Sequence, residues 1–153
     1  MRSSFLVLST LACAGALAAP AHADTVRFKN GEGTAVSDGK ITCVMGVSDS
    51  GAGSVRCSGP RVSALWEPKS DCQIIGNDGQ TETVDGMTAI GLREKGRNRK
   101  EAICGVGGAL DVARGDKVIL GDIKGERLEA GGFRFRNKDG HGFTLTARAL
   151  TRV

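Results

Sequence analysis

Apolar residues in this chain recur at every second position in short runs, and nearly every run ends at a glycine or an Asp-Gly pair. That pattern confines the chain to short strands joined by tight turns. Ile41, Cys43 and Met45 alternate with Thr42 and Val44, and Val55 and Cys57 alternate with Arg56 and Ser58. Val26 with Phe28, Phe133 with Phe135, and Phe143 with Leu145 and Ala147 repeat the same period. Residues 87–92 and 101–106 flank a charged loop and read as a further hairpin, while 116–123 holds the apolar run Val118-Ile119-Leu120. Asp38-Gly39, Asp78-Gly79, Asp85-Gly86, Gly131-Gly132 and Asp139-Gly140 supply the turns. Only the segments near 60–66 and 109–114 have room for a helical turn. The expected fold is therefore mainly β, a small antiparallel sandwich or open barrel with little helix.

The N-terminus belongs to a different kind of segment. Arg2 gives a positive start, residues 5–19 are apolar, and Ala21-His22-Ala23 places small residues where a signal peptidase needs them. Residues 1–23 thus read as a cleaved secretory signal, and 24–153 as one domain. The apolar run is shorter than the roughly 20 residues of a spanning helix, so no transmembrane segment is expected. Lipidation at Cys13 is the weaker reading, because Leu11 sits one place too late in Thr10-Leu11-Ala12.

Export decides how the cysteines and charges are read. Cys43, Cys57, Cys72 and Cys104 are an even set in an exported chain, which implies disulfides. If Cys43 opposes Cys57 across a hairpin, Met45 opposes Val55 and each apolar partner agrees. The expected bridges are Cys43–Cys57 and, by remainder, Cys72–Cys104. No CxxC pair is present, and one histidine remains after the signal, so neither structural zinc nor another cofactor is expected. Loss of Arg2 from the 21 Lys and Arg leaves a small excess over the 17 Asp and Glu, too little to imply nucleic acid.

Three stretches resemble a known family. They are Ser37-Asp38-Gly39-Lys40-Ile41-Thr42-Cys43, Val55-Arg56-Cys57, and Asn137-Lys138-Asp139-Gly140-His141-Gly142-Phe143-Thr144-Leu145. Together they are similar to a domain-of-unknown-function family of small secreted actinobacterial proteins. Its members open on Pro-Ser-Gly-Asn-Ile-x-Cys and close on Asn-x-x-Gly-His-Gly-Phe. Members usually carry six cysteines; here Phe135 stands in the place of the sixth, and the chain is shorter around 124–130, the place of the fifth. Loss of both halves of one bridge agrees with two remaining local pairs. The resemblance implies an extracytoplasmic compartment and no particular mechanism.

Candidate site residues are few. Arg93, Lys95, Arg97, Arg99 and Lys100 put five cations in eight residues with Glu94 the one acid. This hairpin tip is first a solvated loop, and as a binding site it would attract anionic lipid head groups or a cell-wall polymer. His141, between two glycines, is read first as a turn residue and second as a binding residue. A catalytic use would need a carboxylate brought close by folding, which defines the alternative of a secreted enzyme or enzyme inhibitor. No catalytic residue is assigned, since there is no Gly-x-Ser-x-Gly elbow and the cysteines are paired. Asp71, Asp78, Glu82 and Asp85 lack the alternating spacing of a calcium loop and are explained by turns. Trp66, ahead of Pro68 and Cys72, is expected to pack beside a disulfide.

Overall fold

The computed structural model describes residues 23–67, 69–75, 78–105 and 110–153; the stretch expected to be a secretory signal, apart from Ala23, lies outside them. Among the described residues twelve strands form two six-stranded sheets. The first contains β1 (Thr25–Arg27), β8 (Lys117–Leu120), β9 (Ile123–Arg127), β10 (Phe133–Arg136), β11 (Gly142–Leu145) and β12 (Leu150–Arg152), side by side in that order. The second runs β2 (Gly33–Asp38), β3 (Ile41–Val47), β4 (Gly53–Ser58), β6 (Thr81–Arg93), β5 (Lys69–Ile75), with β7 (Arg99–Ile103) also paired to β6. Pairing is antiparallel except for β1 against β8.

The alternation read from the sequence sets which side of each sheet is apolar. Ile41, Cys43, Met45 and Val47 of β3 face inward with Val55 and Cys57 of β4 and Ile90 and Leu92 of β6. Val118, Leu120, Ile123, Phe133, Phe135, Phe143 and Leu145 of the first sheet meet them in one core. This is a sandwich, in which two half-apolar sheets remove each other's inner faces from water. Phe133, Phe135 and Phe143 supply most of its aromatic bulk; the Phe135 and Phe143 rings lie 5.7 Å apart and tilted, a favourable arrangement. Phe135 is fully buried.

Cys43 stands directly opposite Cys57 in the β3–β4 ladder with Cα atoms 4.1 Å apart, the short separation of a non-hydrogen-bonded pair, and the two are bridged. Cys72 of β5 is bridged to Cys104, just past β7. The short helix α1 (Pro60–Leu65) starts on a proline, buries Val62, and ends where Trp66 turns extended. Trp66 packs half-buried against the main core. Residues 110–113 carry no helix, and 106–109 lie outside the described residues.

One close approach between the sheets depends on glycine. A Cβ at Gly53 would overlap the Leu120 carbonyl oxygen of the other sheet, so the sheets touch backbone to backbone there. The first strand is tied at its start, where the Asp24 amide donates to Oδ1 of the buried Asp116 at 3.0 Å. Between the sheets at the far side, Asp38 Oδ1 accepts from Arg114 at 2.6 Å and Oδ2 from the Gly132 amide at 2.8 Å, with Arg127 Nε 3.8 Å away. Burial alone would raise the Asp38 pKa, but the Gly132 amide and the two arginines outweigh it and hold the carboxyl below its ordinary value.

Candidate functional site

The basic stretch lies where the sequence places it, at the β6–β7 turn, with Arg93 ending β6 and Arg99 opening β7. It is not a free tip. Asn137, buried after β10, donates from Nδ2 to the carbonyls of Arg93 at 2.9 Å and Gly96 at 2.8 Å. Its Oδ1 accepts from the amides of Asp139 at 3.1 Å and His141 at 3.0 Å. One amide side chain therefore holds its own turn closed and the basic loop against it. Asp139 Oδ2 accepts from the Gly96 amide at 2.8 Å, and Asn98 Nδ2 donates to the Gly142 carbonyl at 2.7 Å. Glu94 Oε1 accepts from the amides of Gly53 at 2.9 Å, at the start of β4, and Asp122 at 3.1 Å, in the β8–β9 turn.

The two candidate features thus form one structure. The 137–142 segment works as a clasp for the loop, with His141 contributing its backbone: its N–H donates to Asn137 Oδ1 and its carbonyl accepts from the Asn137 amide at 2.8 Å. The imidazole makes no hydrogen bond to the described residues, and it is half-buried. Gly140 has φ +83° and needs glycine for its backbone, whereas Gly142 needs it for space, since a Cβ there would overlap the Phe135 carbonyl oxygen.

The five cations of the loop divide into two groups. Glu101, nearly buried, accepts from Arg99 Nε at 2.9 Å and Arg93 Nε at 3.3 Å through Oε1, and from Arg56 Nε at 2.6 Å through Oε2. Burial would raise its pKa, yet Arg99, Arg56 and Arg93 together hold it below the ordinary value. Gly91 makes this possible: a Cβ there would come within 2.5 Å of the Glu101 carboxyl carbon, so the absent side chain lets the carboxylate lie across the strand to Arg56. Lys95, Arg97 and Lys100 are exposed and form no ion pair among the described residues. Reading by sequence finds the cations but not Glu101 and Arg56; a glycine inside the apolar run of β6 is the one local sign of them.

No group of three His, Cys, Asp or Glu side chains suited to a metal occurs among the described residues. No helix among them is long and apolar enough to cross a membrane. No family model, curated protein or solved structure matches this chain.

Proposed function

We propose that this is an exported, non-enzymatic domain of the cell envelope or medium that binds an anionic partner through the β6–β7 loop. One observation carries the reading: Asn137 and Asp139 hold the loop in one conformation while Lys95, Arg97 and Lys100 stay exposed and unpaired among the described residues. A shaped loop loses less freedom when a ligand arrives, so more of each contact appears as affinity. Arg93 and Arg99 serve differently, neutralising Glu101. Membership in the family of small secreted actinobacterial proteins is part of the same proposal, supported by the disulfide pairs and by the clasp that Asn137, Gly140 and Gly142 form. The alternative of an enzyme or inhibitor using His141 has no observation in its favour.

The test is co-sedimentation of the mature domain with phosphatidylglycerol vesicles and with long-chain polyphosphate. Changing Lys95, Arg97 and Lys100 together to Ser should weaken binding while moving stability by less than about 0.5 kcal/mol. Binding by the unaltered domain should fall as salt passes about 0.15 M, where the screening length is roughly 8 Å. Salt-insensitive binding, or binding unchanged in the triple variant, would remove the loop from the function.

A further inference from the structure

Directly paired residues of a sheet point to the same side, so the register fixes what the first sheet shows to solvent. Val118, Gly125, Phe135 and Phe143 share one row and turn inward. The neighbouring row, facing outward, is Arg27, Ile119, Lys124, Arg136 and Gly142. The next outward row holds Lys117, Glu126, Arg134 and Thr144. Among the described residues of these two rows five cations stand with one acid, and Arg134 engages that acid at 3.0 Å. Arg27, Lys117, Lys124 and Arg136 are exposed and form no ion pair among the described residues.

Lys124 and Arg136 are directly opposed across β9 and β10. Like charges in that position destabilise a sheet, and no acid stands beside them in their row. The fold gains nothing from the pair. A groove of about 450 Å³ runs over this face, lined by Lys117, Lys124, Arg134 and Arg136 together with the acid Glu126 and Val153.

We propose that this face seats a linear polyanion, which lies across β8, β9 and β10 with its charges over Lys117 and the Lys124–Arg136 pair. Cations about 5 Å apart across strands and about 7 Å apart along them meet a repeated charge rather than a single one. They flank a groove instead of crowning a bulge, which favours a single extended chain over a bilayer surface. The site stands independently of the loop, although the two adjoin: Gly142, at the end of the outward row, is the residue that receives Asn98.

The experiment measures binding of long-chain inorganic polyphosphate to three proteins across a salt series. They are the unaltered mature domain, Lys117/Lys124/Arg136→Ser, and the loop variant Lys95/Arg97/Lys100→Ser. The face variant should bind at least tenfold more weakly at about 0.1 M salt. Its dependence of log affinity on log salt should be shallower by about two, at roughly 0.7 per cation removed. Orthophosphate at equal phosphate concentration should not displace the polymer. Lys124→Gln alone should raise the thermal midpoint without ligand, since it relieves an opposed charge, and this single change also serves if the triple variant folds poorly. Unchanged affinity in the face variant overturns the proposal, as does full competition by orthophosphate. So does capture by phosphatidylglycerol vesicles that needs these same three residues. If the loop variant alone loses binding, the face is refuted and the loop reading survives; loss in the face variant alone has the opposite consequence.

Discussion

Asn137 offers the sharpest test of how the loop is held. In Asn137→Ala, two carbonyl acceptors and two amide donors lose their partner at once, all within 3.1 Å of the lost atoms. A neutral hydrogen bond is worth about 1 kcal/mol net, and an orphaned buried group about 1–3. All four bonds are part-buried, so water recovers some of that cost. The expected loss is therefore about 2–4 kcal/mol, a large share of the 5–15 kcal/mol typical of a domain. Asn137→Asp separates the two halves of the clasp. It keeps an acceptor for the amides but sets a carboxylate against the Arg93 and Gly96 carbonyls, so it should cost at least as much as alanine. Urea unfolding gives the stability, and amide exchange at residues 94–98 reports the loop directly. Loss below about 0.5 kcal/mol in both variants, with loop exchange unchanged, would refute the claim that one side chain shapes the loop.

Acid should destabilise the domain. Asp38 and Glu101 both have pKa values below their ordinary ones in the folded state, so the folded protein binds fewer protons than the unfolded chain. Their contribution is complete above the ordinary carboxylate range, near about 4, and is lost as pH falls through the lower folded values. Urea midpoints should drop from pH 5 to pH 3, less so in Asp38→Asn; a flat profile in the unaltered protein would contradict the assignment. Gly53→Ala should cost about 1–3 kcal/mol or more by driving a methyl into the Leu120 carbonyl, while Gly105→Ala, with nothing within 4 Å, serves as a near-neutral control. Equal effects of the two on the thermal midpoint would count against the backbone contact between sheets.

What the sequence reveals follows from how local each signal is. The β3–β4 hairpin and its bridge are legible because alternation itself encodes register: Cys43, Met45, Val55 and Cys57 agree on one pairing. Strand β2 escapes that reading, since two of its inward residues are Thr34 and Asp38, whose partners Leu110 and Arg114 are each 76 residues away. Strand β5 is missed because much of it is exposed, as at Ile75. In sequence the 116–123 segment shows the apolar run Val118-Ile119-Leu120 without its end, whereas Gly121, at φ +59°, turns the chain into β9. For the site, the run of cations at 93–100 is plain in the sequence, yet its clasp joins residues 41 to 44 positions apart. The cations on the first sheet come from four separate strands, so only the register gathers them.

The tie between Asp24 and Asp116 takes on another meaning if the expected cleavage after Ala23 occurs. Before cleavage the donor at Asp24 is an ordinary peptide amide, 3.0 Å from a buried carboxylate. Afterwards the same nitrogen is the new chain terminus, an ammonium facing that carboxylate, and a charge-assisted bond is about twice as strong as a neutral one. The peptidase would then be finishing the fold as well as releasing it. Under that cleavage the first residue of the mature chain would be held by this charge pair as well as by the short parallel ladder of β1 to β8.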